Sequence, residues 1–403
     1  MNFFFGASTS SHQVEGGNQN DWTEWEKKDA KRLAQRAAGR RVSGKSWPDF
    51  ILNGYPNPLQ EENYISGKAC DHYHRFREDF DIAKALGYNA HRFSIEWSRV
   101  EPEEGKFDEK EIEHYRDVIH TLRERGMEPF LTIWHYTLPL WLANKGGLSD
   151  KQFPFYFARY TEKLTSAFRD DVWFWITINE PEIFINRPPT KRSRLLFWPS
   201  MNRLALAHEK ARAAIKKISP EANVGAAMCI VYFDSAGGWI NDFLKYIADR
   251  AGNFYFLNRI RRVTDFIGLN YYFRNRIHYG FNKNQNAEAN DFGWEIFPEG
   301  ISHVLKDLQK YNLPIYITEN GLADSRDTKR SSFVEKHLAW IREAMRAGAD
   351  VRGYFHWSLL DNFEWDSGFW PRFGLVEIDY KTLERRIRPS ALVYKKIIEN
   401  WGR

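Results

Sequence analysis

Residues 90–134 read AHRFSIEWSRVEPEEGKFDEKEIEHYRDVIHTLRERGMEPFLTIW. An apolar run, Ala90–Ile95, leads into Ile112, Tyr115, Val118, Ile119 and Leu122, whose spacing of three and four keeps one face of a helix apolar. Gly126 stands where a helix ends, and a second apolar run, Pro129–Trp134, follows. The same unit recurs along the chain. Further strand-like runs are Phe3–Ala7, Val172–Ile178, Val224–Ile230, Phe266–Asn270, Ile315–Thr318 and Gly353–Trp357. Helical patterns lie at Glu78–Leu86, Phe155–Phe168, Arg203–Ile218, Trp239–Phe256, Pro298–Tyr311, Phe333–Met345 and Ala391–Trp401, with Gly87 and Gly348 as further stops. Eight strands interleaved with helices predict an α/β fold, a parallel sheet closed as a (β/α)8 TIM barrel. Periodicity alone is also compatible with a doubly wound open sheet.

At about 150 residues per domain, 403 residues would make two or three domains, but barrels of this length occur as one unit. No Pro/Ser-rich linker divides the chain and no repeat of 20–50 residues is present, so residues 1–403 are expected to form one barrel domain, with irregular insertions at about 39–71 and 274–292. Lys and Arg number 58 against 53 Asp and Glu, a net charge of +5 that is spread rather than polarised. The densest basic stretch, Lys27–Arg41, reads as a solvated helix or loop face, and no nucleic-acid-binding motif accompanies it, so no nucleic-acid partner is expected. The opening MNFFFGASTSSHQ lacks a basic n-region, and the longest apolar stretch, Val224–Phe233, is far short of the roughly 20 residues of a membrane helix. Two cysteines, Cys70 and Cys229, make no disulfide framework and suit a reducing compartment. The expectation is a cytoplasmic protein with no membrane partner. Oligomeric state is not legible.

Barrel chemistry sits where strands end and βα loops begin. The fourth strand ends Asn179-Glu180-Pro181 and the seventh ends Glu319-Asn320-Gly321. Each places a carboxylate just past a fully apolar strand, where burial without purpose is costly. One such Glu could serve as a buried ion-pair partner; two, on strands 4 and 7, point to a catalytic pair. The cluster Cys70, Asp71, His72, His74 has ligand-like residue types but no complementary second cluster, so no metal is expected. Sixteen Trp, 19 Tyr and 30 Phe exceed packing needs enough to suggest stacking on a flat or sugar ligand as well.

TINEP (177–181) and ITENG (317–321) resemble the two signature motifs of glycoside hydrolase family 1, the β-glucosidase/β-galactosidase family. The resemblance extends to FGASTSSHQVEG (5–16), DHYHRFREDF (71–80), HRFSIEWSR (91–99), WHYTLPLWL (134–142), DFIGLNYY (265–272), GWEIFPEG (293–300) and RGYFHWSLLDNFEW (352–365), all in the family's order. It implies that Glu180 is the general acid/base and Glu319 the nucleophile of a retaining double displacement. Arg92 and Tyr272 would hold Glu319 ionised, Asn179 would bond the sugar 2-hydroxyl, and Asn270 would support the site from behind. Gln13, His135 and Glu364 would bond the remaining hydroxyls, Trp357 would stack on the ring, and Trp365 would donate its indole N–H. A retaining pair stands about 5–5.5 Å apart, and no cofactor is needed. The substrate would be a small β-glycoside or oligosaccharide with a terminal, non-reducing β-D-glucosyl, galactosyl or fucosyl residue.

Two stretches depart from the family pattern. After strand 4 the usual loop is replaced by RPPTKRSRLLFWP (187–199), and the connection between strands 5 and 6 is compressed to about one helix. Shortened loops there predict a more open aglycone side with Phe197 and Trp198 contributing, and Trp134 and Trp198 are expected where the sugar ring or its aglycone would lie. The alternatives are a 6-phospho-β-glycosidase, which Glu364 disfavours because a carboxylate repels a dianionic phosphate, and a non-catalytic carbohydrate-binding relative, which the retention of both glutamates disfavours.

Overall fold

Eight strands, each parallel to both neighbours, close into a barrel: β1 Phe4–Ser8, β2 Ala90–Ser94, β3 Glu128–Trp134, β4 Phe174–Asn179, β5 Asn223–Cys229, β6 Phe266–Asn270, β7 Ile315–Asn320 and β8 Val351–Trp357. β1 pairs with β2 on one side and with β8 on the other, Phe4 opposite Gly353 through Ser8 opposite Trp357, which settles closed barrel against open sheet. The computed structural model describes residues 3–39, 46–185, 197–285 and 287–402.

Strand alternation layers the interior. Phe4, Phe130, Phe174, Phe266, Tyr316 and Phe355 plug the lower barrel, with Phe130 and Phe174 stacked at 4.2 Å. Two residues further along, the same inward faces turn polar: Ala90 is succeeded by Arg92, Phe130 by Thr132 and Tyr316 by Thr318. An aromatic floor thus carries a polar layer that opens towards the C-terminal ends of the strands, where barrel sites form.

The helices cover the outside with bounds close to expectation: Glu109–Glu124, Phe153–Phe168, Phe197–Ile218, Gly300–Leu308, Arg330–Arg346 and Pro389–Glu399. One expected element is broken. The helix between β5 and β6 runs Trp239–Ala248, passes through a π turn at Asp249–Asn253, and resumes as Tyr255–Ile260. Asn253 is the cause: its amide donates to the Val231 carbonyl and to Asp249, and its oxygen accepts from the Val231 N–H. The described part of the basic stretch, 27–39, belongs to a helix, Asp21–Gly39, with Lys27 on Glu24 and Arg32 on Asp29 as neighbouring ion pairs, and Arg40 and Arg41 lie outside the described residues. Within the second insertion, Arg274–Ile277 pairs in parallel with Tyr232–Ser235. The Cys70–His74 group is structural: Cys70 donates to the Asp361 carbonyl at 2.8 Å, while His72 bonds Asp79 at 2.7 Å beside Arg385. No helix among the described residues is long and apolar enough to cross a membrane.

Candidate active site

Both strands that carry the paired carboxylates slip register at their ends. Along β4, Ile176 faces Gly225 but Asn179 faces Ala227, three residues against two. Along β7, Ile317 faces Leu269 and Glu319 faces Asn270, two against one. Each slip inserts one residue and changes which face the next side chain takes. Strict alternation from Ile176 would bury Ile178 in the barrel and turn Asn179 away. Instead Ile178 joins the outer core, and Asn179 reaches the interior polar layer. β7 continues through Glu319 and Asn320, beyond the expected end at Thr318, because both residues remain paired to β6 and β8.

Arg92 organises this layer. Its Nε donates to Thr132 at 3.1 Å, Nη1 to the Thr318 carbonyl at 3.1 Å and to Glu319 Oε1 at 2.5 Å, and Nη2 to Asn179 Oδ1 at 2.6 Å. The second Glu319 oxygen accepts from the Tyr272 hydroxyl at 2.6 Å. Burial and the adjoining carboxylates push that hydroxyl well above its usual range, so it stays a donor. Arg92 and Tyr272 both favour the ionised form of Glu319. Burial outweighs the opposing pull of Arg92 and, helped by the neighbouring Glu180 carboxyl and against the Tyr272 bond, lifts its carboxyl to about 7.

Glu180 follows β4 in the left-handed conformation, φ 42°, with its N–H bound to the Ala227 carbonyl. That turn lifts its carboxyl off the strand. Asn270, anchored by Thr318 at 2.7 Å, donates to Glu180 Oε1 at 2.9 Å, and the Tyr136 hydroxyl donates to Oε2. Tyr136 escaped the sequence reading; an aromatic in an aromatic-rich run gives no signal by itself, although here φ is 80°. The two carboxyls are held differently: Glu319 by a cation and a hydroxyl, Glu180 by two neutral donors.

Glu180, Glu319, Asn179, Tyr272, Gln13, His135, Trp357, Glu364 and Trp365 all line one cavity of about 160 Å³, while Arg92 and Asn270 lie beneath it. Asn179 Oδ1 accepts from Arg92 and Asn270, so its amide group donates to His135 Nε2 at 3.2 Å. Burial, with Arg92 and His12 nearby, holds the His135 ring well below the usual histidine range. The ring is therefore neutral with its proton on Nδ1, a buried atom without a hydrogen-bond partner on a cavity-lining side chain. Gln13 is fixed by Ser10, Asn362 and the Phe363 carbonyl, and donates to Glu364 Oε2 at 3.3 Å. Trp365 stacks on His12 at 5.4 Å, and Trp357 lies nearly parallel to His135 at 6.0 Å.

Trp294, Phe273, Ile183 and Cys229 also line the cavity and were not anticipated. Trp134 is corrected: its N–H bonds the Thr137 carbonyl and its ring packs on Phe153 and Phe184, in the core. Trp198 packs on Phe197 and Tyr255 away from the cavity. Most of the replaced loop, 186–196, lies outside the described residues.

Gly321 explains the last residue of ITENG. A Cβ there would stand 1.8 Å from the Trp357 carbonyl oxygen and 3.1 Å from the Trp357 Cβ. Gly321→Ala is expected to lower unfolding stability by about 1–3 kcal/mol in urea titrations, the usual cost of overpacking, and to depress kcat/KM by displacing the Trp357 wall.

A sequence profile of glycosyl hydrolase family 1 matches residues 1–236 and 241–403. The chain belongs to this family. It is similar to β-glucosidase A of Thermotoga maritima, 32% identical over 457 aligned positions that cover 99% of this chain and 97% of that protein. The 1,4-β-D-glucan glucohydrolase of Thermotoga neapolitana is 31% identical, covering 99% and 98%. Those 457 positions exceed the 403 residues here, so these family 1 relatives carry segments that this chain lacks. Among solved structures, the β-glucosidase from Thermotoga maritima in complex with glucoimidazole matches with a TM-score of 0.85 at 28% identity, covering 99% of this chain and 98% of that one. The β-glycosidase from Pyrococcus horikoshii matches at 0.83 and 34%, covering 98% and 93%. The protein is a glycoside hydrolase built on the family 1 barrel.

Proposed function

We propose that this family 1 enzyme is a retaining β-glycosidase that releases terminal, non-reducing β-D-glucosyl residues, and galactosyl or fucosyl ones, from unphosphorylated glycosides. The observation that carries the reading is the unequal grip on two carboxyls facing one indole-walled cavity. Glu319, once ionised, attacks the anomeric carbon while Glu180 passes its proton to the glycosidic oxygen. Arg92 and Tyr272 steady the charge that the nucleophile carries before attack and recovers afterwards. In the second half, Glu180 takes a proton from water, the oxygen attacks the anomeric carbon, and Glu319 leaves. Each face of the sugar is used once, so configuration is retained. His135 Nδ1–H, Gln13 and Glu364 supply hydroxyl partners, and the indoles of Trp357 and Trp365 supply apolar faces. The scheme as written calls for no cofactor.

A panel of p-nitrophenyl β-glucoside, β-galactoside, β-fucoside and 6-phospho-β-glucoside, with the first-formed anomer followed by proton NMR, tests this. Turnover of the unphosphorylated glucoside with the β-anomer appearing first is expected. Turnover of the phosphorylated sugar alone would replace the reading by a 6-phospho-β-glycosidase, α-anomer first would make the enzyme inverting, and no turnover would make it a binding protein.

The pH dependence follows from Glu319. The attacking group must be ionised and its carboxyl sits at about 7, so kcat/KM is expected to fall as pH drops through that value. Tyr272 donates to the charged form, and its removal raises the carboxyl further. Tyr272→Phe should therefore move the acid limb of the profile to higher pH, with a larger loss of activity below neutrality than above it. An unmoved acid limb would separate Glu319 ionisation from that limb.

A further inference from the structure

The helix Trp239–Ala248 carries Trp239, Ile240, Phe243, Tyr246 and Ile247. At 100° per residue these five fall within about 120° of arc, the width of a stripe that normally faces a core. Here it faces solvent: Trp239 is 79% exposed, Phe243 and Tyr246 are 55% each, and Ile240 and Ile247 are 38% and 44%. Tyr279, 71% exposed, stands beside the helix, its N–H donating at 2.7 Å to Asn241 on the helix's buried side. The family profile leaves 237–240 unmatched, where Trp239 and Ile240 stand.

We infer that this helix is the centre of an isologous interface with a second copy of the same chain. Area supports it. With aromatic side chains of about 150–250 Å² each, the three exposed aromatics of the stripe leave roughly 280–470 Å² of apolar surface in water. That already matches the largest patch a typical monomer leaves exposed, about 300–600 Å², and Ile240 and Ile247 add to it. A standard interface buries about 800 Å² per partner, some 56–65% of it apolar, so the patch matches the apolar part that one copy must supply. Charge supports it too. A two-fold contact must be self-complementary. The stripe is bordered by Asp242 near the helix start and by Arg250 just past its end, both exposed. Antiparallel packing centred near Tyr246 sets each Asp242 against Arg250 of the second copy, twice over. A membrane surface is the weaker match, since the segment 239–250 holds Lys245 and Arg250 against Asp242 and Asp249 and so carries no net positive charge.

Sedimentation velocity on the full chain over a wide range of concentrations tests the inference. A dimer mass that grows with concentration is expected. Because both side chains are exposed, Trp239→Glu with Phe243→Glu should keep the unfolding midpoint and the activity on p-nitrophenyl glucoside while weakening dimerisation more than about tenfold. Asp242→Arg should weaken it less, and adding Arg250→Asp should restore it. A monomer throughout would overturn the inference, as would a dimer indifferent to the double glutamate variant, or a monomer that floats with vesicles or sediments with insoluble β-glucan through this face.

Discussion

Replacing Glu319 with Ala is expected to cut kcat on p-nitrophenyl β-glucoside by roughly 10⁵-fold or more, the scale of loss when a covalent nucleophile is removed. The residue is buried, and both of its oxygens already accept hydrogen bonds aimed from opposite sides, by Arg92 and Tyr272. Among the described residues no other carboxyl is placed to take over its face of the sugar: Glu180 occupies the opposite grip, on Asn270 and Tyr136, and Glu364 is tied to Gln13. The truncation leaves Arg92 without its anion, which tends to destabilise, but it also removes a carboxylate that burial disfavours strongly enough to lift it to about 7. The variant should therefore fold, which circular dichroism and an unfolding curve would check. The hole left at the nucleophile admits a small anion. Added azide should restore part of the rate and yield the α-glucosyl azide, since attack comes from the face that Glu319 vacated. Full activity in the variant, or a β-azide product, would remove Glu319 from the role.

The strands could be read because each is a short apolar run between helical periodicities, and the observed bounds fall within about two residues of those runs. Closure could not be read from periodicity. It depends on β1 meeting β8, a pairing across nearly the whole chain that leaves no local pattern. The paired carboxylates stood out because a carboxylate just past a fully apolar strand has no cheap structural explanation. Its geometry was hidden, because the register slips in β4 and β7 decide which side chains enter the barrel, and a slip is a property of paired strands. Trp134 shows the opposite failure: it sits beside His135 in the same motif, yet its ring packs between strand and helix while the imidazole reaches the cavity. Proximity in sequence to a site residue does not carry a side chain to the site. The ionisation of Glu319 was legible only in part, for a related reason. Arg92 was legible as a lowering influence, but the depth of burial that outweighs it follows from the closed barrel.

Replacing Glu180 with Ala should have an effect that depends on the leaving group. With an alkyl β-glucoside the departing oxygen needs a proton, and loss of the acid should lower kcat/KM by about 10²–10⁴-fold, the usual contribution of general acid catalysis. With 2,4-dinitrophenyl β-glucoside the aglycone leaves unassisted, so formation of the glycosyl-enzyme should stay close to the parent rate. Its breakdown still needs the base that Glu180 supplies, so the ester should accumulate, visible as a burst of dinitrophenol followed by a slow steady state and a low apparent KM. Azide, which needs no deprotonation, should accelerate that second step and give the β-glucosyl azide, the opposite anomer to that from the Glu319 variant. Asn270 and Tyr136 lose their acceptor in this variant, yet both border the cavity or its floor and regain water as a partner, so the fold should hold. Equal losses on both glucosides, with no burst, would mean that Glu180 positions the substrate instead of transferring the proton. The pair of anomeric azides, α from one variant and β from the other, would assign the two faces of the cavity to the two glutamates independently of any pH profile.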